Sequence, residues 1–244
     1  MPRSPEEIER ILDERADTIT AAFAAKARGV HPRRCPLCQY QGPFSAFGDP
    51  PRYDARCPNC SSLERHRLIH LTLRKHDLLR DDVRMLHFAP EYILRARYMG
   101  RVKSYESADL SPRAKVDHVV DITATGLPRA AYDLIMCNHV LEHVDDAAAL
   151  LEMFELLVPG GTALLTTPVV EGWHETYEEE GDLSPARRRL VFGQADHVRL
   201  YGRDIRARIR AAGFRLEENV ATEPEVSRHG LIRGETVFLA RKPE

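Results

Sequence analysis

Hydrophobic residues near the N-terminus recur with the period of an α-helix. Along residues 5–28 the apolar side chains at helical spacing are Ile8, Ile11, Leu12, Ala16 and Ile19. Ser4 is suited to cap the start of this helix, and Gly29 is suited to end it. Residues 30–60 are instead rich in Pro, Gly, Arg and Cys, with only short apolar runs. A second amphipathic stretch, residues 61–79, predicts another helix after them.

From residue 83 onward, strand-like and helix-like segments alternate. The strand-like segments are residues 83–88, 102–110, 116–121, 132–139, 161–168, 214–220 and 236–241, and the helix-like segments are residues 91–98, 146–157, 185–192 and 203–212. Such alternation with short turns predicts a parallel sheet covered by helices on both faces. No helix separates the last two strands, which predicts one reversed, antiparallel strand. The fold class is therefore α/β, a doubly wound, Rossmann-like sheet of seven strands behind a small N-terminal module.

These patterns divide the chain near residue 80. Residues 1–80 are predicted to form the first helix, a cysteine-containing module and a linking helix, and residues 81–244 the sheet domain. A chain of 244 residues is long enough for both. Residues 171–201 are a long insertion between the fifth strand and the last helix, and we expect a lid there because long ordered loops are usually functional.

The composition is that of a soluble globular protein, with 43% apolar residues, 30% charged residues and a formal net charge of −2. No apolar run is long enough to span a bilayer, and the N-terminus shows no hydrophobic signal segment. We therefore expect a cytoplasmic protein with no membrane partner and with reduced thiols. The charge is unevenly distributed, because residues 26–80 carry 11 Lys and Arg against 4 Asp and Glu, a local excess of +7.

Four cysteines form the most specific motif in the chain. Cys35 and Cys38 make one Cys-x-x-Cys pair, and Cys57 and Cys60 make a second pair eighteen residues later. Each pair can form a tight turn that directs two thiolates at one ion, so that the two turns complete a tetrahedral zinc site. Four protein ligands leave no position for a substrate, which indicates a structural zinc ion. Two disulfides or four free thiols are the alternatives.

Two roles are open for this zinc ribbon. The local basic excess is consistent with nucleic-acid or protein recognition. The ribbon can also be scaffolding that supports the N-terminal helices and walls one side of the active-site cleft, and we favour this role because zinc ribbons are common as scaffolding.

The carboxyl ends of the predicted central strands carry residues suited to a nucleotide-type ligand, which binds at that edge of a doubly wound sheet. Asp109 lies about 20 residues beyond the first strand, where a carboxylate can accept hydrogen bonds from both hydroxyls of an adenosine ribose. Asp121, at the end of the third strand, can accept a hydrogen bond from an adenine amino group. The candidate cofactor-binding residues are His87, Ala89, Pro90, Glu91, Asp109, Leu110, Asp121, Ile122, Asn138, His139 and His143.

The sequence resembles the class I S-adenosylmethionine-dependent methyltransferases of the type 11-like kind. The resemblance rests on residues 138–144 (Asn-His-Val-Leu-Glu-His-Val) and 158–161 (Val-Pro-Gly-Gly). Residues 60–67, 87–91 and 192–202 are similar to segments of a bacterial group with an N-terminal four-cysteine module. The resemblance implies a seven-stranded methyltransferase domain that binds S-adenosylmethionine, with structural zinc. It does not specify the acceptor.

One turn departs from the wider superfamily, which places glycines after the first strand so that the backbone can approach the cofactor closely. Here the turn is Ala89-Pro90-Glu91. One hypothesis is a lost, non-binding site. The other, which we favour because the remaining candidates are complete, is that small Ala89 still permits the approach while Glu91 meets the ammonium group of the cofactor.

The insertion at 171–201 contains a polar and aromatic cluster suited to an acceptor pocket: Trp173, His174, Tyr177, His197, Arg199 and Tyr201. His197 is the first candidate for a general base, with His143 and His139 as the next candidates. Arg199 and Tyr201 are candidates for orienting the acceptor. Alternatively, His197 locks the lid through a hydrogen bond to Asp196 or to a backbone carbonyl.

Four functions compete. The leading one is methyl transfer to a small-molecule acceptor through an O, N or C atom. An RNA methyltransferase that grips its substrate through the basic ribbon is the second, and a non-catalytic S-adenosylmethionine-binding protein is the third. The fourth is an enzyme that transfers another carbon of the same cofactor.

Overall fold

The computed structural model describes residues 4–26, 29–48, 51–179 and 181–244. Its helices are α1 (Pro5–Lys26), α2 (Glu64–Lys75), α3 (Tyr92–Tyr98), α4 (Asp146–Leu156), α5 (Pro185–Phe192), α6 (Ile205–Ala211) and α7 (Glu225–His229). Its strands are β1 (Arg33–Arg34), β2 (Gln41–Gly42), β3 (Ser45–Phe47), β4 (Arg52–Arg56), β5 (Arg84–Phe88), β6 (Ser104–Asp109), β7 (His118–Val119), β8 (Tyr132–Asn138), β9 (Leu157–Thr166), β10 (Tyr177–Glu178), β11 (Arg199–Leu200), β12 (Arg215–Val220) and β13 (Thr236–Arg241). A 3₁₀ turn spans Leu141–His143.

The chain forms two compact units. One consists of Met1–Thr72 with Val220–Glu235, and the other of Leu73–Asn219 with Thr236–Glu244. The sequence-based division at residue 80 assigns 220–235 to the sheet domain instead. The difference arises from Arg67, whose buried guanidinium donates hydrogen bonds to the carbonyl oxygens of His229 and Gly230 at 2.7 and 2.6 Å. Backbone carbonyls are present at every residue, so a sequence pattern does not reveal such a contact.

In the first unit, short strand pairs surround the cysteines. β1 pairs antiparallel with β2, and β3 pairs antiparallel with β4. The predicted cap of α1 is confirmed, because Ser4 Oγ accepts a hydrogen bond from the Glu7 amide at 3.1 Å. The predicted end of this helix at Arg28 lies outside the described residues.

In the second unit, seven strands form one sheet in the order β12-β13-β9-β8-β5-β6-β7. β5 lies between β6 and β8 and is parallel to both. β13 pairs antiparallel with β9. The predicted doubly wound, seven-stranded α/β fold with a reversed last strand is therefore confirmed.

The middle of the central strand β8 is apolar on both faces, as expected where helices cover both faces of a sheet. In β8, the side chains of Leu134, Ile135, Met136 and Cys137 are at most 1% exposed. The helix α4 adds Ala149, Leu150, Met153 and Leu156, which recur at helical spacing and belong to the same core. Cys137 is thus a packed core residue, and burial raises the pKa of its thiol.

Two strands differ most from the sequence prediction. The Pro159-Gly160 dipeptide predicts a turn before a strand at 161–168, but β9 begins at Leu157 and runs through both residues. A register shift against β8 between Tyr132 and Leu134 accommodates this irregular start. β7 covers only His118–Val119 of the predicted strand at 116–121.

The insertion at 171–201 contains β10, α5 and β11. β10 pairs antiparallel with β11, which places Glu178 opposite Arg199. Ser184 caps α5 by accepting a hydrogen bond from the Arg187 amide at 3.2 Å. In the described part of the chain, no helix is both long and apolar enough to cross a membrane.

Candidate functional site

A cleft of about 570 Å³ opens at the carboxyl ends of β5, β6 and β8. Most of the predicted cofactor-binding residues line it: Ala89, Asp109, Leu110, Asp121, Ile122, His139 and His143. The other four, which do not line the cleft, are His87, Pro90, Glu91 and Asn138. The parallel strands bring these residues together because their carboxyl ends share one edge of the sheet.

Asp109 ends β6 with one carboxylate oxygen fixed and the other available. Its Oδ1 accepts a hydrogen bond from the Ser111 amide at 2.7 Å. Its Oδ2 has no hydrogen-bond partner within the described ranges. The turn therefore orients the carboxylate, and one oxygen keeps its full accepting capacity toward the cleft.

Asp121, which follows the neighbouring strand β7, is held in a similar way. Its Oδ1 accepts hydrogen bonds from the amide and the hydroxyl of Thr123 at 2.8 and 2.7 Å. These two hydrogen bonds hold the pKa of the Asp121 carboxyl below its usual range, and the bond from the amide has the larger effect. The group is therefore ionised at neutral pH and suited to accept a hydrogen bond.

The turn after β5 has the backbone conformation that glycine favours, although it contains no glycine. Ala89 has φ of 45°, in the left-handed region. Its amide donates a hydrogen bond to the Ala108 carbonyl at 2.8 Å, which continues the pairing with β6. The backbone geometry of this turn is therefore retained with a single methyl group as the side chain.

Glu91 lies beside this turn in a polar network. Its Oε2 accepts a hydrogen bond from Asn138 Nδ2 at 3.2 Å and lies 3.3 Å from His87 Nε2. His87 is fully buried, and its Nδ1 lies 2.7 Å from the Tyr105 hydroxyl. His87 and Asn138 thus position the Glu91 carboxylate, which lies beside the cleft, two residues after the lining residue Ala89.

The first two candidate catalytic residues lie side by side. The rings of His143 and His197 meet edge to face with their centroids 4.6 Å apart. His143 lines the cleft, whereas His197 is only 5% exposed. Burial lowers the pKa of His197, and the neighbouring His143 lowers it further, so the His197 imidazole is neutral at pH 7.

Glu142 belongs to the same cluster, although the sequence analysis does not single it out as a site residue. It is 2% exposed, its Oε2 accepts a hydrogen bond from the Thr167 hydroxyl at 2.9 Å, and its Oε1 lies 3.2 Å from His139 Nδ1. Burial acts to raise the pKa of Glu142, but the hydrogen bond and the charge of His139 outweigh it and lower the pKa. The sequence signal that could have identified Glu142 is a single acidic residue in the mostly apolar segment Val140–Val144.

The other two candidate catalytic residues, Arg199 and Tyr201, do not line the cleft. The Tyr201 side chain is fully buried, and its hydroxyl lies 3.0 Å from Asp146 Oδ2 and 3.1 Å from the Leu141 carbonyl oxygen. Arg199 donates to the same carbonyl at 2.9 Å and to Glu178 Oε1 at 2.6 Å. These contacts fix β11 against the segment 141–146. A role of both side chains in orienting an acceptor stays a prediction.

The remaining residues singled out in the insertion contact one another. The Tyr177 ring lies 6.3 Å from Trp173 and 6.1 Å from Phe192, centroid to centroid. His174 pairs with Arg203, whose guanidinium lies 2.9 Å from its Nδ1. None of these side chains lines the described cleft.

In the first unit, the four cysteines of the two motifs converge. The sulfur atoms of Cys35 and Cys60 are 3.6 Å apart, and those of Cys38 and Cys57 are 3.7 Å apart. Zinc–sulfur bonds of about 2.3 Å in a tetrahedron place the sulfurs about 3.8 Å apart. The four side chains therefore fit a tetrahedral ion without rearrangement.

The two Cys-x-x-Cys turns are built alike. The Gln39 amide donates to the Cys35 carbonyl, and the Ser61 amide donates to the Cys57 carbonyl, both at 2.9 Å. Gln39 and Ser61 each follow the second cysteine of a pair and have φ of 65° and 61°. All four thiols are free of disulfides. Neither disulfides nor unrelated free thiols explain this repeated geometry.

Comparison with known proteins agrees with the architecture. The profile of the family described as "Methyltransferase domain" matches residues 62–219. The chain therefore belongs to the methyltransferase-domain family. No curated protein sequence matches it.

Solved structures share the fold at low sequence identity. An S-adenosylmethionine-dependent methyltransferase from Mesorhizobium loti is 16% identical, with a TM-score of 0.52 over 72% of this chain and 98% of the other. The YcgJ protein of Bacillus subtilis is 12% identical, with a TM-score of 0.51 over 73% and 99%. A phosphoethanolamine N-methyltransferase from Haemonchus contortus, solved with S-adenosyl-L-methionine, is 15% identical, with a TM-score of 0.50 over 73% and 53%.

Proposed function

We propose that this chain transfers a methyl group from S-adenosylmethionine to a small-molecule acceptor. The observation that carries the proposal is the cleft at the carboxyl ends of β5, β6 and β8, which Asp109 and Asp121 both line. Methyltransferase-domain membership supports the reaction class. The acceptor atom, O, N or C, follows from neither.

The residues that line the cleft, together with the neighbouring Glu91, match the separate chemical groups of the cofactor. Asp109 Oδ2 would accept from the ribose hydroxyls, and the ionised Asp121 would accept from the adenine amino group. The Glu91 carboxylate, held by Asn138 and His87, would pair with the ammonium group. The left-handed turn at Ala89 would let the backbone approach the cofactor closely.

When bound, S-adenosylmethionine supplies a methyl carbon whose bond to the positively charged sulfur breaks, with the electron pair passing to sulfur, as the acceptor's lone pair forms the new bond. The chain's own task is to hold the acceptor in line and to exclude water. If the acceptor atom carries a proton, a base must remove it. The neutral His197, with His143 beside it, is the candidate group for this proton transfer, and His139 is a further candidate at the cleft wall.

For the zinc ribbon we infer a structural role. The Ser62 hydroxyl lies 3.3 and 3.2 Å from the Cys35 and Cys60 sulfurs. The Ser62 carbonyl accepts a hydrogen bond from the buried Arg67 at 2.6 Å. A metal ion at the cysteines would thus organise the interior of the first unit through Ser62 and Arg67.

The charges of the first unit leave the RNA methyltransferase as the second candidate. Arg33 pairs with Asp54 at 2.8 Å, and Arg52 pairs with Glu64 at 2.9 Å. Both acidic partners are already counted in the local excess of +7, so these pairs do not reduce it. The burial of Arg67 removes one basic side chain from the reach of phosphate groups, and phosphate contacts would have to come from the other basic residues.

The test is calorimetric titration of the zinc-loaded protein with S-adenosylmethionine and S-adenosylhomocysteine, with ATP as the control for general adenosine affinity. We expect micromolar binding of the first two and much weaker binding of ATP. Formation of S-adenosylhomocysteine is then measured with small hydroxyl, amine and carbon acids and with bulk RNA. Absence of binding would overturn the proposal, and turnover with RNA alone would replace it by the second candidate.

A further inference from the structure

A buried carboxylate and two imidazoles meet at the edge of the cleft. One ligand atom from each of Glu142, His143 and His197 lies within 4.8 Å of the others. The three come from two separate parts of the chain, the 3₁₀ turn and the end of the insertion, which are joined by a hydrogen bond from the Val198 amide to the Glu142 carbonyl at 2.9 Å. His143 also lines the cleft, so the cluster opens toward it.

Each of these side chains is held by its other polar atom. His143 Nδ1 lies 3.2 Å from the Asp196 carbonyl oxygen, and Glu142 Oε2 accepts from the Thr167 hydroxyl at 2.9 Å. His197 forms a hydrogen bond with the Phe192 backbone. Metal-binding histidines characteristically donate the second ring N–H to a carbonyl in this way, which fixes the tautomer and orients the lone pair.

The Nδ1 atom of His197 is the ring nitrogen that is left to bind a ligand. This atom is buried and has no hydrogen-bond partner among the residues that the structure describes, although His197 as a whole is 95% buried, at 5% exposure. A buried imidazole nitrogen without a hydrogen-bond partner destabilises the fold unless a ligand satisfies it. A second imidazole 4.6 Å away by ring centroid and the Glu142 carboxylate make a cation the partner that all three groups would share.

We propose that Glu142, His143 and His197 bind one divalent transition-metal ion at the acceptor side of the cleft. One carboxylate with two imidazoles is a ligand set used for Zn²⁺, Mn²⁺, Fe²⁺ and Co²⁺. Metal–ligand bonds of about 2.0–2.2 Å place ligand atoms about 3 Å apart. In this structure the ligand atoms lie at most 4.8 Å apart, so side-chain rotations would have to bring them closer together when the ion binds.

The inference deepens the proposed function and rests on it for the role of the ion. Three protein ligands leave coordination positions open, and the exposed side of His143 directs them to the cleft. An acceptor that offers an oxygen atom fits these positions, because the ion lowers the pKa of a bound hydroxyl. The two histidines would then act as ligands, and a hydroxyl acceptor would need no side-chain base.

The neighbouring charged groups are compatible with a cation. His139 Nδ1 lies 3.2 Å from Glu142 Oε1, and Asp196 Oδ2 lies 3.4 Å from His143 Nδ1. Asp196 is mostly exposed and can rotate toward the ion to offer a carboxylate oxygen as a fourth ligand.

The experiment uses Mn²⁺ as the probe, followed by electron paramagnetic resonance, on the 244-residue chain loaded with one equivalent of Zn²⁺. The four thiolates take that ion in preference to one carboxylate and two imidazoles, so the proposed site stays available to Mn²⁺. A thiolate site disfavours Mn²⁺, whereas oxygen and imidazole ligands accept it, so the four-cysteine site does not contribute. We expect one Mn²⁺ per chain in the wild type. We expect binding at least about tenfold weaker in His197→Gln and Glu142→Gln.

A matched control and a milder variant keep the result interpretable. His174→Gln removes an exposed histidine of the same insertion and should bind Mn²⁺ like the wild type. His143→Gln changes a partly exposed side chain and should fold even if a buried substitution does not. No Mn²⁺ binding by the wild type, or equal binding by wild type and His143→Gln, would overturn the metal site.

The failure of this inference can be told apart from failure of the proposed function. Binding of S-adenosylmethionine is measured on the same preparations by calorimetry. Cofactor binding without Mn²⁺ binding would overturn only the proposed metal site. Mn²⁺ binding without cofactor binding would support the metal site and overturn the proposed methyl transfer.

Discussion

Ala89 and His139 end two adjacent parallel strands with the same unusual backbone conformation, φ of 45° and 52°. Their strands are in register, with Phe88 opposite Cys137. Each amide continues the ladder to the next strand, Ala89 to Ala108 and His139 to Thr166, both at 2.8 Å. The two left-handed residues turn the chain away from the sheet on the same side and so form the wall of the cleft that both line.

Ala89→Val should weaken cofactor binding as well as stability. A β-branched residue at positive φ costs about 1–3 kcal/mol, and its added methyl groups enter the cleft. Ala130, with φ of 49°, lies outside the cleft and provides the matched control. Urea unfolding should show similar losses for Ala89→Val and Ala130→Val, while calorimetry shows reduced S-adenosylmethionine affinity only for the first. Equal affinity in both variants would contradict a role of this turn in binding.

Asp109→Asn should reduce the affinity for S-adenosylmethionine at least tenfold, about 1.4 kcal/mol. The amide oxygen can still accept from the Ser111 amide, so the turn is preserved while the charge is lost. Asp182→Asn, a change at an exposed carboxylate in the insertion, is the control. The measurement is calorimetric titration. An affinity that stays at the wild-type value would remove Asp109 from the ribose site.

The fold and the cofactor cleft could be predicted because they depend on regular patterns. Apolar runs mark β5 and β8, and parallel pairing of β5 with β6 and β8 brings Ala89, Asp109 and His139 to one edge of the sheet. The absence of glycine at Ala89 did not prevent recognition, because the surrounding strand ends are complete.

Other features depend on tertiary packing that leaves no local signal. His197 meets Glu142 only because the end of the insertion packs on the 3₁₀ turn. Arg199 and Tyr201 were expected at the acceptor, but a polar side chain can equally serve a buried backbone carbonyl, as both do at Leu141. The assignment of 220–235 to the first unit depends on Arg67 in the same way.

Cys38→Ser should lower the zinc content by one ion per chain relative to the wild type and unfold the first unit, because a four-thiolate site lacking one ligand loses much of the free energy that organises it. Cys137→Ala is the control, since this fifth cysteine is buried in β8, in the other unit. Metal content is measured by mass spectrometry and folding by circular dichroism. A zinc content and a fold equal to those of the wild type in Cys38→Ser would be incompatible with a Cys₄ site.

Tyr201→Phe should lower the free energy of unfolding by about 1–3 kcal/mol, because it leaves the buried Asp146 and Leu141 acceptors with one donor fewer. Affinity for S-adenosylmethionine should not change, since the hydroxyl does not reach the cleft. Tyr177→Phe, at a partly exposed ring, should leave stability within about 0.5 kcal/mol. Urea unfolding and calorimetry check both parts. A loss of cofactor affinity without a loss of stability would return Tyr201 to the binding machinery.

Asp133 should contribute stability that disappears in acid. The Arg84 side chain and amide donate hydrogen bonds to its carboxylate at 2.8–3.1 Å, and the side-chain bond is the main reason that its pKa lies below the ordinary value. A carboxyl whose pKa is lower in the folded state stabilises the fold above its unfolded pKa of about 3.9, and the contribution is lost as the pH falls through the folded value.

Asp133→Asn removes this ionisation. Wild type should therefore exceed Asp133→Asn in the free energy of unfolding at pH 6, and the difference should shrink as the pH falls below about 4. Both proteins share the loss of zinc in acid, so the comparison cancels it. The measurement is urea unfolding of both proteins between pH 6 and pH 3. A difference that stays constant over this range would mean that the ionisation of Asp133 contributes nothing to the free energy of unfolding.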